Sequence, residues 1–187
     1  MLYLSIDIEA SGLFPGIHYL VSVGAVPVVR TGGHWSVDRE RTFYVELQPT
    51  DGAEEMPESM AVHGLTRDHL LDRGVSPRAA MRQLADYLES LGDLRAAAWP
   101  ASFDIPYLGW HLYKLLGRNP LGHSALDIPS FAMGLLGVHD RKHLRPAMAR
   151  AGFVPPVNPH KHNALADAVA QAETLVWLLE RASEPHP

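Results

Sequence analysis

Residues 2–9, LYLSIDIE, alternate without a break: Leu2, Leu4, Ile6 and Ile8 fall on one face, Tyr3, Ser5, Asp7 and Glu9 on the other. That period of two predicts a strand with an acidic end. The runs YLVSVGAVPVV (19–29) and RTFYVEL (41–47) predict two more strands, and RTGGHWS (30–36) between them supplies turn chemistry. A three-stranded antiparallel meander is therefore expected. The polar stretch 51–70, broken by Gly52, Pro57 and Gly64, reads as an excursion with short helical turns. From Pro77 the apolar positions Ala80, Leu84, Leu88 and Leu91 recur at helical spacing, and DLRAAAWP (93–100) predicts a short buried strand. The segments IPYLGWHLYKLLG (105–117) and SFAMGLLG (130–137) predict helices ended by glycine. After the loop VPPVNPHKH (154–162), Leu165, Val169, Ala172, Val176 and Leu179 form the apolar stripe of a last helix.

Strands first, then a strand among helices, predict an α/β fold: a mixed sheet covered by helices. With 187 residues, 47% of them hydrophobic, the chain supports one good core. The expected organisation is a single domain over residues 1–182, with 183–187 (SEPHP) as a short frayed tail. No apolar run reaches the ~18 residues needed to cross a bilayer, and the first ten residues lack the basic flank of a signal peptide. A soluble, cytoplasmic protein without a membrane partner is expected. The absence of cysteine excludes disulfides and thiolate chemistry, so any metal must be held by oxygen or imidazole. A net charge of −5 gives no basic footprint for nucleic acid, although divalent cations can reverse the field of an acidic cleft.

Residues two apart on a strand project to one side with Cα atoms roughly 6–7 Å apart, so Asp7 and Glu9 can reach one ion or bridge two. A solvated strand edge is the competing reading of a lone Asp-x-Glu. Position favours the metal shelf: the pair lies at the carboxyl end of the first strand, with Gly12 following as a turn residue. Phe14, beyond that turn, can stack on a base or belong to the core, and the sequence pattern favours the core. Asp104 in WPASFDIPYL sits where a small apolar strand runs into a helix, a place where a capping role competes with a ligand role. Pro155, Pro156 and Pro159 delay the last helix until about Asn163, a good cap. This puts His162 on a mobile loop and Asp167 in the first turns of the helix. Asp127 is read as the cap of the helix after it, and Glu173 as a solvated ion-pair partner. Arg141, Lys142, His143 and Arg145 form a basic cluster that can track a phosphate backbone or merely face solvent.

Taken together, these segments resemble the DEDDh (DnaQ-like) family of 3′-to-5′ exonucleases, which includes ribonuclease T, oligoribonuclease and the proofreading exonucleases. The Asp-x-Glu motif is met by Asp7 and Glu9 in DIEASG, the second motif by Phe103–Asp104, and His-x4-Asp by His162 and Asp167. VHGLT (62–66) is similar to a family loop close to the bound nucleotide, and YVELQP (44–49) to the strand before it. The resemblance spans about residues 2–180. Two departures stand out. Trp99 and Pro100 occupy positions where the family often has His-Asn, and Ala10 stands where threonine is frequent. Both bear on substrate preference rather than on the metal ligands.

The resemblance implies a ribonuclease H-like mixed five-stranded sheet flanked by helices. It implies two Mg²⁺ or Mn²⁺ ions held by Asp7, Glu9, Asp104 and Asp167, with Asp7 bridging both. His162 would take the proton of the attacking water, and nucleoside 5′-monophosphates would leave from the 3′ end. Ala10, Gly12, Phe14 and His63 are the candidate substrate contacts. The expected partner is single-stranded nucleic acid, RNA ahead of DNA by family analogy, and pairing of two copies is an open expectation. A DNA exonuclease and an inactive nucleic-acid-binding module on the same scaffold are the alternatives.

Overall fold

The computed structural model describes residues 1–183. The central strand is β1 (Leu2–Ala10), paired antiparallel with β2 (Leu20–Thr31) and parallel with β5 (Leu94–Ala98), which in turn pairs parallel with β6 (Ala125–Asp127). On the far edge of β2 lie two short strands, β3 (His34–Val37) and β4 (Phe43–Glu46), giving the order β3-β2-β1-β5-β6 with β4 also on β2. The expected meander is thus modified. Only Gly32 and Gly33, both at positive φ, form the turn in RTGGHWS, and His34 onward returns as a strand. The expected third strand is present as β4, antiparallel to β2, and β3 is an added strand that begins within the expected turn and also pairs with β2. The three-residue β6 was not foreseen; it is too short to carry a period.

The polar excursion folds as α1 (Pro57–His63) and α2 (Arg67–Arg73), and α3 (Pro77–Leu91) buries all four expected apolar residues. Next come α4 (Ala101–Leu116), ended by Gly117 in the left-handed conformation, and α5 (Ile128–Leu135), capped by Asp127 as expected. A turn of 3₁₀ helix leads into α6 (Leu144–Arg150), and α7 (Ala164–Ser183) closes the fold. Ser183, the first residue of the expected tail, belongs to α7; residues 184–187 lie outside the described residues. Among the described residues no helix is long and apolar enough to cross a membrane.

Both faces of β1 are covered. Leu4, Ile6 and Ile8 join a core cluster with Leu84, Leu88, Leu108 and Leu112 from α3 and α4. The opposite face meets α7, whose Ala168, Ala172, Leu175 and Leu178 pack with Val26, Val28 and Ala97. Each fully buried leucine here contributes roughly 1.5–3 kcal/mol.

The buried face of α7 differs from the expected stripe. Ala164, Ala168, Ala172, Leu175, Leu178 and Leu179 are buried, whereas Leu165, Val169 and Val176 are only half-buried at its flank. The cause is close approach: a Cβ on Gly24 would fall 2.2 Å from the backbone of Ala164 and Leu165. Ser5 Oγ also donates to the Ala168 carbonyl at 2.8 Å. Only an alanine-lined face fits that near the sheet, so the larger residues turn aside.

Candidate active site

Asp7 and Glu9 stand on the α7 side of β1, as the alternation predicts, and the β1–β2 register shifts between Glu9 and Ala10. Such a bulge often marks the place where a strand re-aims its side chains. Parallel pairing with β5 covers only Leu2 to Ser5. Past that point the Ile8 N–H has no ladder partner on the β5 side, and Asp104 Oδ1 accepts it at 3.0 Å. Asp104 therefore does not cap its own helix. From the first turn of α4 its carboxylate reaches around the end of β5 to β1, with the residue only 3% exposed.

The fourth acid comes from the start of α7. Asn163 caps this helix, its Oδ1 accepting the Ala166 N–H at 3.1 Å. One turn in, Asp167 Oδ1 accepts from Asn158 Nδ2 at 2.6 Å and Oδ2 from the His162 backbone N–H at 2.7 Å. His162 is the sole non-glycine residue at positive φ among those described, at 64°. A left-handed histidine is uncommon and is held here by the hydrogen bond that its backbone N–H donates to Asp167 Oδ2. The loop is tethered through its backbone while the His162 residue stays exposed. Glu9, His162 and Asp167 each bring one ligand atom within 4.8 Å of the other two. Asp7 and Asp104 lie outside that tight group and act on it as neighbouring charges.

Burial, followed by repulsion from Asp104, Glu9 and Asp167, pushes the Asp7 carboxyl well above its ordinary range, opposed by a hydrogen bond from Gln171. Glu9 is pushed up to about 8, first by burial and then by Asp167 and Asp104. Burial raises Asp104 to about 7 against the Ile8 N–H, which favours its charged form. Such crowding of acids with shifted affinities marks a functional site rather than a solvated strand edge. The donor set also fits a divalent cation: it is rich in hard oxygen ligands and contains no thiolate, and positive charge at this point relieves the repulsion.

The candidate substrate contacts divide. Ala10 is 7% exposed. Gly12 is also buried, and a Cβ there would fall 2.0 Å from His18 Cδ2, so its missing side chain seats that imidazole. Phe14 corrects the sequence reading: it is 59% exposed, beside the exposed Leu13 and Ile17, and outside the core. The loop from Ser11 to Ile17 turns too tightly to fold its apolar residues inward, with the Phe14 carbonyl accepting the His18 N–H at 2.9 Å. His63 ends α1, and its Nδ1 accepts the Leu65 N–H at 3.1 Å. Its Nε2 is buried without a partner among the described residues, and burial together with the charge of His162 depresses its proton affinity.

Three contributors had escaped the sequence reading. Gln171 follows Asp167 by four residues on α7 and donates to Asp7 Oδ1 at 2.5 Å; the i, i+4 spacing is the signal that could have found it. Asn158 carried no such signal, and Gly24 appeared as one more small residue in a strand. Glu173 behaves as read, pairing with Arg39. Beside the acids opens a cleft of about 640 Å³ whose walls include Asp7, His162, Asp167, Trp99 and Arg145.

A mixed sheet flanked by helices, with acids at the end of its first strand, at a helix start and on the last helix, has the ribonuclease H-like fold of a phosphodiester hydrolase. The RNase_T family model, described as Exonuclease, matches residues 4–175, and the chain belongs to that family of DEDDh exonucleases. A protein of Escherichia coli named 3′-5′ DNA exonuclease Cap18 is 30% identical over 187 residues, covering 98% of this chain and 94% of the relative. The nuclease domain of 3′hExo, a DEDDh member solved bound to rAMP, superposes with TM-score 0.73 at 18% identity, covering 99% of this chain and 94% of that one. E. coli Exonuclease I in complex with a dT13 oligonucleotide gives TM-score 0.74 at 17% identity over 96% of this chain, which spans 41% of that larger protein.

Proposed function

We propose that residues 1–182 act as one exonuclease unit that shortens single-stranded nucleic acid from its 3′ end, releasing nucleoside 5′-monophosphates. The observation that carries this reading is the grouping of Glu9, His162 and Asp167 at one end of β1, with the carboxylates of Asp7 and Asp104 near enough to press on them as charges. Asp7, Glu9, Asp104 and Asp167 would hold two Mg²⁺ or Mn²⁺ ions. When bound, such ions lower the pKa of the attacking water and stabilise the leaving 3′ oxygen.

The remaining work belongs to the chain itself. His162, exposed on a backbone latched to Asp167, is the group that accepts the water's proton. Asn158 and Gln171 fix the rotamers of Asp167 and Asp7. His63 lies near His162 with its Nδ1 taken up as an acceptor, and its buried Nε2–H would have to be uncovered to meet the terminal nucleotide.

DNA is the favoured substrate. The RNA expectation rested on family analogy alone, whereas a relative matching along nearly the whole chain is named a DNA exonuclease.

The test is digestion of matched 5′-labelled DNA and RNA strands with Mg²⁺, with Mn²⁺ and with chelator, alongside Asp7→Asn. A ladder shortening from the 3′ end, faster on DNA and lost with chelator or in the variant, is the expected outcome. Faster shortening of RNA reverses the sugar preference. Strands that are bound but never shortened with either ion would remove the exonuclease reading.

A further inference from the structure

Strand pairing carries the two acids of β1 across the sheet. Asp7 lies opposite Gly24 and Glu9 opposite Ser22, and on the other side of β2 those two residues lie opposite Tyr44 and Glu46. Directly paired residues share a face, so Tyr44 and Glu46 stand on the α7 side of the sheet, two strands from the acids. The start of α7 fills the space between them, over Gly24. There Asn163 Nδ2 donates to Tyr44 Oη at 3.3 Å, and Tyr44 Oη donates to Glu46 Oε1 at 2.7 Å. Glu46 Oε2 in turn lies 2.6 Å from Nε2 of His69, on α2. Burial and the Glu46 carboxylate push the Tyr44 phenol above its ordinary range, so it keeps the proton that it donates.

The direction of the bond to Asn163 is fixed by the helix cap. Asn163 Oδ1 is occupied by the Ala166 N–H at 3.1 Å, which leaves the amide N–H₂ to face Tyr44. Among the described residues, the other hydrogen bonds of residues 154–163 run within the loop or into the first turns of α7: Asn158 and His162 donate to Asp167, His160 to Asn158, and Asn163 to His160. Tyr44 is thus the loop's one hydrogen bond to the sheet. The helix itself is already seated, by contact with Gly24 and by the bond from Ser5 to Ala168. The latch at Asp167 alone leaves the loop free to turn about it, and a second one at Asn163, adjacent to His162, removes that freedom. We propose that Tyr44 is a positioning residue for His162: oriented by Glu46, with His69 behind it, its hydroxyl holds Asn163 and so fixes where the neighbouring imidazole stands. The inference rests on the exonuclease reading for what that imidazole does.

The test compares Tyr44→Phe, which removes only the hydroxyl, with Asn163→Ser, which keeps a capping oxygen but loses the amide. On a 5′-labelled DNA strand with Mg²⁺, each should lower kcat about ten- to a hundredfold and leave KM nearly unchanged, because a displaced proton acceptor slows the reaction without loosening the strand. The double variant should be no slower than the slower single one. In a His162→Ala background, adding Tyr44→Phe should lower the rate by less than about twofold, since the group it positions is gone. Amide hydrogen exchange supplies a readout independent of turnover. The His162 and Asn163 N–H groups both donate hydrogen bonds, and their exchange should quicken about two- to tenfold in Tyr44→Phe, as the loss of one neutral hydrogen bond implies.

Unchanged exchange overturns the proposal whatever the rate does. Where the wild-type protein shortens strands, an undiminished kcat, an effect confined to KM, or a loss that persists in full beside His162→Ala also overturns it, and the exonuclease reading still stands. A wild-type protein that shortens neither DNA nor RNA with either ion removes the exonuclease reading and the catalytic half of the proposal with it. The exchange comparison then still decides whether Tyr44 anchors the loop.

Discussion

Gln171 Nε2 donates to Asp7 Oδ1 at 2.5 Å, while its own Oε1 is buried with no partner among the described residues. A buried amide left half-satisfied is costly, by about 1–3 kcal/mol, so this side chain is held for what its other end does. It favours the charged form of an acid that burial and three neighbouring carboxylates push the other way. Gln171→Ala should therefore weaken Mn²⁺ binding by about tenfold in calorimetric titration, since the ion must then displace a more firmly held proton. Unchanged affinity would reduce the contact to packing.

The raised carboxyls also set how the metal-free protein responds to pH. Unfolded, Asp and Glu lose their protons near pH 4; folded, Asp104 and Glu9 hold theirs to about 7 and 8. Between those limits the native state binds more protons than the unfolded one, so stability falls as pH rises from about 4 to about 8. In chelator, Tm should be several degrees lower at pH 8 than at pH 5. Saturating Mn²⁺ should remove most of the decline at the alkaline end, because the ion compensates the charge. A flat profile in chelator would show that the acids are not crowded as described.

His162→Ala should lower the single-turnover rate of strand shortening by about 10²- to 10⁴-fold, the usual contribution of a positioned proton acceptor. The bond to Asp167 uses the backbone N–H, which alanine retains, so metal affinity should change little. Parallel loss of metal binding would instead make the imidazole a ligand, a role its 4.8 Å grouping with Glu9 and Asp167 makes geometrically accessible.

Gly24→Ala places a methyl 2.2 Å from the backbone where α7 begins. Backbone cannot rotate away as a side-chain tip can, so α7 must shift and carry Asp167 with it. A loss of about 3 kcal/mol in urea unfolding is expected, with activity falling further than stability accounts for. Wild-type stability in this variant would mean that the helix start yields freely.

The outcome for the sequence reading follows the range over which each signal acts. Alternation in β1 placed Asp7 and Glu9 correctly, and the prolines before Asn163 located the start of α7, because both are local patterns. What escaped depended on distant partners. The stripe of α7 was misplaced because Gly24 and Ser5, in other strands, select an alanine face. The short β3 and β6 exist through their pairing with β2 and β5, not through any period of their own. Phe14 was read inward because an aromatic after a glycine turn usually is, and the tight loop around it is invisible in composition. Asp104 looked like a cap until the end of β5 left an amide on β1 for it to accept.

Asp7 on the first strand meets Gln171 on the last helix, 164 residues later, and Ser5 meets Ala168 across 163. During synthesis the two carboxylates of β1 have no Asp167, His162 or Gln171 beside them until the chain has been extended through α7, Gln171 lying 164 residues past Asp7. On the proposed reading, a polypeptide not yet extended through α7 lacks part of its active site. The same long closure makes hydrolytic competence a late event in folding, because contacts so distant in sequence form slowly. On the same reading, loss of α7 would leave the acids of β1 in place but without Asp167 and Gln171 beside them.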